Sequence, residues 1–121
     1  MDKLLISMTL DIIKNIRKIF LLTIIFASGC GNRPDLSGFD LAKGEQIYSN
    51  TCIACHLAGM SSAAPKIGNR RDWAKRINQG METLFEHSLN GFNDMPPRGG
   101  KPDLSDQEVK NAVAYMVSKS W

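Results

Sequence analysis

The chain has 121 residues, 43% hydrophobic and 22% charged, with a formal net charge of +3. That is room for one small domain of ordinary globular composition. The basic excess is too small for a nucleic-acid footprint, and three cysteines are too few for a disulfide framework.

The first predicted element lies outside that domain. Lys3, Lys14, Arg17 and Lys18 form a basic lead, and Ile19 to Ala27 is a short, nearly wholly apolar run, the pattern of a secretory signal over residues 1–29. A membrane span takes about 20 apolar residues, and this run stops at Ser28-Gly29. With the leader removed, 11 basic residues face 10 acidic ones, so charge says little about partners. Ala27-Ser28-Gly29-Cys30 resembles a lipobox, with Ala27 where a leucine is usual. Cys30 is therefore expected to carry lipid, tethering an exported, periplasmic protein to a membrane; Gly31 in place of an aspartate favours the outer membrane. The rival expectation is cleavage nearby, with Cys30 a free thiol on a released protein. Residues 30–38 contain Asn32, Pro34, Asp35 and Ser37 and read as a flexible tether.

The folded domain is expected over 39–121. Asp40 is placed to cap a helix over Leu41 to Asn50, with Leu41, Ile47 and Tyr48 on its apolar side. That helix leads into Cys52-Ile53-Ala54-Cys55-His56, a C-x-x-C-H run. The segment from Leu57 to Gly68 reads as a loop. Short helices follow over Asp72 to Gln79 and Glu82 to Asn90, each ending at a glycine, Gly80 and Gly91. Ser105 and Glu108 form a capping box for a last helix with Val109, Ala112, Val113, Met116 and Val117 at helical spacing. No strand-period run of useful length appears, so the domain is all-α.

Two thiols a helical turn apart can each join one vinyl group of a porphyrin, with the next residue's imidazole reaching the iron. A thioredoxin-like pair needs a βαβ context and zinc needs further ligands; the sequence supplies neither. One haem c, covalent through Cys52 and Cys55 with His56 as the first iron ligand, is the expectation. A core of about 80 residues is marginal by itself, so the domain without haem is expected to fold poorly. For the second ligand the chain offers Met60, Met81, Met95, Met116 and His87. Met60 is too near His56, Met116 falls on the core stripe, and Met81 begins a helix. Met95 stands before two prolines that stiffen an extended loop, Asn93 to Gly100, and is favoured. His87 reads as a solvated residue or a neighbour of a haem propionate.

Gly44-x-x-x-Tyr48-x-x-x-Cys52-x-x-Cys55-His56, then Pro65, then Met95-Pro96-Pro97-Arg98-Gly99-Gly100, and Ala112 to Met116 in the final helix together resemble a small bacterial class I c-type cytochrome, nearest to class IE, the c-five type. The resemblance spans about residues 39 to 121. It implies the class I fold, four to five short helices around the haem, with His56 and Met95 on the iron and the Pro65 carbonyl supporting His56. It also implies first and last helices crossing around Gly44, Tyr48 and Tyr115. Many members of that group carry a further cysteine pair where this chain has Lys101-Pro102-Asp103-Leu104. Two strong ligands leave no open position on the iron, so the expected function is single-electron transfer in a bacterial respiratory chain. The partners expected are a quinol-oxidising complex and a terminal oxidase or reductase, met by a monomer. Two rivals are a haem sensor or small enzyme with an open sixth position, and a fixed haem subunit of a membrane respiratory complex.

Overall fold

The structure, a computed structural model, describes residues 2–25 and 33–121. The chain divides into two units, Met1–Asn32 and Arg33–Trp121. Of the first, the structure describes one helix, α1 (Asp2–Ile25). Leu4, Leu5, Met8 and Ile12 on it are exposed. Among the described residues no helix is long and apolar enough to cross a membrane. Cys30, expected to carry lipid, and Phe26-Ala27 of the apolar run lie outside the described residues.

The regular elements of the second unit are helices, and its only strand-like pairing among the described residues is an isolated bridge between Phe92 and Met95. Asp40 caps α2 (Leu41–Ile47): its carboxylate accepts a hydrogen bond from the Lys43 N–H at 2.9 Å. The helical course does not end at Asn50 as expected. It continues through a π turn, Tyr48–Cys52, into α3 (Ile53–His56). A π turn fits one extra residue into a helix and re-phases the residues after it, and such turns recur at functional sites. Before α2, the stretch read as tether holds a turn in which the Ser37 N–H donates to Asp35, and Leu36 packs on the core.

The next helix, α4 (Arg70–Ile77), begins two residues earlier than expected because Asn69 is its cap, accepting from the Asp72 N–H. α5 (Met81–Asn90) comes directly after it. Gly80 and Gly91 flank α5 with φ of +92° and +86° and ψ near 154°. Those angles are not the left-handed helical cap expected; they belong to an extended region that essentially only glycine enters. After a short 3-10 turn, Pro97–Gly100, comes α6 (Asp106–Ser120), where Ser105 and Glu108 form the capping box reciprocally.

α6 is the hub. It packs most extensively on α2, and also on α5 and α4, which buries the expected stripe of Val109, Ala112, Val113, Met116 and Val117 and, beyond it, Ala114 and Tyr115. Contact with α2 is close because Gly44 has no side chain. A Cβ there would stand 2.1 Å from the Asn111 carbonyl oxygen. Around this crossing the Tyr48 and Tyr115 rings tilt together at 5.5 Å, and the Tyr115 hydroxyl donates to Glu45 at 2.9 Å. The domain is thereby a frame of α2, α5 and α6 that leaves a hollow beside the π turn.

Candidate functional site

That hollow is a cavity of about 410 Å³, within the range of small-molecule and cofactor sites. Cys52, Cys55, His56, Pro65 and Met95, the five residues singled out in the sequence, all line it. Trp73, Leu84, Phe92 and Val113 add apolar wall.

The segment carrying His56 is tied at several points. Pro65 O lies 2.8 Å from His56 Nδ1. With Nδ1–H donating there, Nε2 is the ring nitrogen left for a metal. Burial lowers the His56 pKa, and the Lys66 and Arg76 charges lower it further against the opposing effect of the Pro65 bond. The imidazole is therefore neutral at pH 7, the form that ligates. Lys66 Nζ donates to Cys55 O at 2.7 Å and to Ser61 O at 2.8 Å, satisfying a carbonyl at the end of α3 with a cation where the helix dipole favours one. Trp73 Nε1–H donates to Lys66 O at 2.9 Å, and the Ile67 N–H to His56 O at 2.8 Å.

Cys52 and Cys55 are both free thiols. Burial, then the neighbouring Cys55, pushes the Cys52 pKa up to about 11. A thiol so held is protonated at pH 7. One turn before it, Tyr48 Oη is buried without a hydrogen-bond partner.

The segment carrying Met95 is irregular. Phe92 and Met95 exchange backbone hydrogen bonds at 3.0 Å each way, around Asn93 at φ +52°. A Cβ on Gly91 would come within 3.0 Å of Met95 O and of Pro97 Cδ, so the turn closes only over a glycine. Lys101 to Leu104 is a run of tight turns, with Leu104 N–H donating to Lys101 O at 3.2 Å.

The other ligand options separate by position. Met60 is 79% exposed and absent from the cavity wall. Met81 packs on the core and does not reach the cavity either. Met116 is buried as expected, yet it also lines the cavity. His87 is half-buried in the wall and stacked on Phe92, rings 3.9 Å apart at 15°. Sequence reasoning missed Lys66, Trp73 and Phe92, none of which carries a local motif. Two half-buried thiols, a neutral imidazole and a thioether around an apolar hollow fit a flat group fixed at two sulfurs and ligated through a metal, which is what haem c requires.

Residues 39–116 match the family described as cytochrome C oxidase, cbb3-type, subunit III. The chain is similar to cytochrome c-555 of Prosthecochloris aestuarii, 41% identical over 95 residues, which are 72% of this chain and 95% of the relative. It is similar also to cytochrome c5 of Azotobacter vinelandii, 39% identical over 76 residues, 61% of this chain and 90% of that one. Among solved structures it resembles a chain in an electron transfer complex of nitrite reductase with cytochrome c, with a TM-score of 0.63 and 36% identity over 69% of this chain and 99% of the other.

Proposed function

The chain belongs to the small class I c-type cytochromes, electron carriers with covalently bound haem c, and from that premise we propose how its own residues serve electron transfer. Cys52 and Cys55 would hold the haem by thioether bonds, the addition of an S–H to a vinyl group being redox-neutral and needing no oxidant. His56 ligates through Nε2, and the Pro65 carbonyl fixes its tautomer and ring angle. Met95 supplies the second ligand. The haem so held supplies a one-electron ferric/ferrous couple, which Met/His ligation makes comparatively oxidising.

The observation that carries this reading is that all five residues line one cavity, although Met95 lies 39 positions beyond His56 in the chain. The ferric protein is expected to show the weak near-infrared sulfur-to-iron band. Met95→Ala should abolish it, lower the midpoint potential and admit exogenous ligands, whereas Met116→Leu should leave the band in place. A Met95→Ala protein with an unchanged midpoint would sink the assignment.

The leader over 1–29 and Cys30 support an exported, periplasmic carrier, lipid-anchored through Cys30 to the outer membrane, with 30–38 as the tether and 39–121 as the haem domain. A Cys30→Ser protein should move from the membrane fraction to the soluble periplasmic fraction, and its mature mass should lack lipid. Electrons would pass singly from a quinol-oxidising complex to a terminal oxidase or reductase. The electron transfer complex formed by a structural relative with nitrite reductase supports an acceptor of that kind. A second reading, a fixed haem subunit of a membrane respiratory complex, draws on the description of the matching family as an oxidase subunit. Stoichiometric co-purification with such a complex from detergent-solubilised membranes distinguishes the two.

A further inference from the structure

Nine residues separate Met95 from the capping residue Ser105, and their backbone hydrogen bonds are all local. Gly99 N–H donates to Pro96 O, Lys101 N–H to Arg98 O, and Leu104 N–H to Lys101 O, each spanning three positions. Overlapping turns of this kind can flex as a chain, and packing of the Pro97–Gly100 turn on α5 is not directional. One side chain reaches across. Arg98 Nη1 donates to Leu104 O at 2.7 Å while Nη2 pairs with the Asp106 carboxylate in the first turn of α6. The fork thus bridges the loop to the N-terminus of the hub helix.

The backbone at Arg98 is held at φ +55° and ψ +27°, the left-handed region that residues with a Cβ avoid. Conformations of this sort persist where the surroundings over-determine them, and they cluster at functional sites. The neighbouring Gly99 lies against Thr51, where an added Cβ would stand 3.3 Å from Thr51 Cγ2. The turn that Arg98 anchors therefore abuts the residue before Cys52.

We propose that Arg98 is a positioning residue for Met95: its guanidinium fastens the loop to α6 and thereby sets how readily the thioether leaves the iron. An exposed ion pair alone contributes little to global stability, so the effect should appear in ligand exchange. The inference rests on Met95 being the second ligand.

The test is imidazole titration of the ferric holoprotein, tracked by loss of the near-infrared band. Arg98→Asn tolerates the left-handed backbone but lacks the fork. It should bind imidazole about tenfold more tightly than the wild type, the effect expected of losing the charge-assisted bond to Leu104 O, with the exposed pair to Asp106 adding little. Arg98→Lys should fall between, and Asp106→Asn, which keeps the bond to Leu104, should show a smaller rise. Tyr115→Phe loosens the distant helix crossing and should leave imidazole affinity unchanged. The proposal is overturned if Arg98→Asn binds imidazole like the wild type, or if Tyr115→Phe tightens binding as much. A wild-type ferric protein with no near-infrared band overturns the Met95 assignment itself, a result distinct from a band present and unaltered in both proteins. Should Arg98→Asn not accumulate, Asp106→Asn decides, with unchanged affinity counting against the proposal.

Discussion

The segment that carries His56 and the segment that carries Met95 meet at the same cavity but are built differently. The first packs its chemistry into five consecutive residues, Cys52 to His56, at the end of a helical course braced by α6. It is then fastened by Pro65 and Lys66, nine to eleven positions on. The second is a loop of overlapping turns around Phe92, Met95 and two prolines, held at a distance by one arginine. On the proposed ligation, the ligand that must never leave is placed on helix and covalent anchor, while the ligand that tunes the potential sits on the less regular segment.

The largest effect is expected from removing the group that joins the two segments. A void of 410 Å³ at about 24 cal/mol per Å³ is an upper bound of about 10 kcal/mol, comparable to the whole stability of a small domain. Cys52→Ala with Cys55→Ala, which prevents covalent attachment, should therefore give a protein with no cooperative thermal transition near that of the holoprotein. A transition within a few degrees of it would mean that the two segments are held by the helical frame without haem.

Next in size is the crossing that braces the His56 segment. Gly44→Ala places a Cβ 2.1 Å from Asn111 O and 3.0 Å from Tyr115 Cβ, both on α6. Neither neighbour is the far end of a flexible chain, so α2 must move away, at about 3 kcal/mol. Denaturant titration of the holoprotein measures it. The Met95 band should persist at temperatures where the fold does, since the crossing does not touch that loop.

Smaller still is the cation on the His56 side. Lys66→Met removes two charge-assisted hydrogen bonds from the segment between Cys55 and Ser61 and should cost about 2 kcal/mol. It should also lower the midpoint potential, because a fixed positive charge acting on His56 disfavours the ferric state of an iron that His56 ligates. Potentiometry checks the sign. An unchanged potential would show that Lys66 acts only as a tie.

The unequal construction explains how much could be read from the residues alone. C-x-x-C-H is a local code, so the His56 side was legible, as were the Asp40 cap, the Ser105 capping box and the stripe on α6, all set within a few positions. Met95 could be singled out because two prolines stand directly after it. The ties were not legible. Lys66, Trp73 and Arg98 act through bonds from a side chain to a backbone carbonyl six to eleven positions away, and such a carbonyl leaves no trace in residue type. The start of α4 was misplaced for a related reason: Asn69 is a cap by its hydrogen bond to Asp72, and its neighbours Gly68 and Arg70 do not announce a helix. The π turn was hidden too, since Tyr48 to Cys52 reads like any other helical continuation.

The smallest expected effect concerns the far anchor of the Met95 loop. Ser105 caps α6 directly after Leu104, whose carbonyl accepts the Arg98 hydrogen bond. Ser105→Ala removes one half of the capping box, at about 1 kcal/mol. Bonds from the Ser105 backbone N–H and hydroxyl, aided by Lys43, hold the Glu108 carboxyl below its ordinary value. The unfolded chain therefore takes up this proton first as pH falls. The stabilisation is complete above the unfolded value of 4.5 and vanishes as pH drops through the lowered folded value. Denaturant titrations of wild type and Glu108→Gln should accordingly differ at pH 6 and converge at low pH. If the capping box serves only α6, the near-infrared band of Glu108→Gln should be as resistant to imidazole as that of the wild type. If instead the start of α6 is the fixed point from which Arg98 holds Met95, fraying it should weaken that resistance, less than Arg98→Asn does and in the same direction.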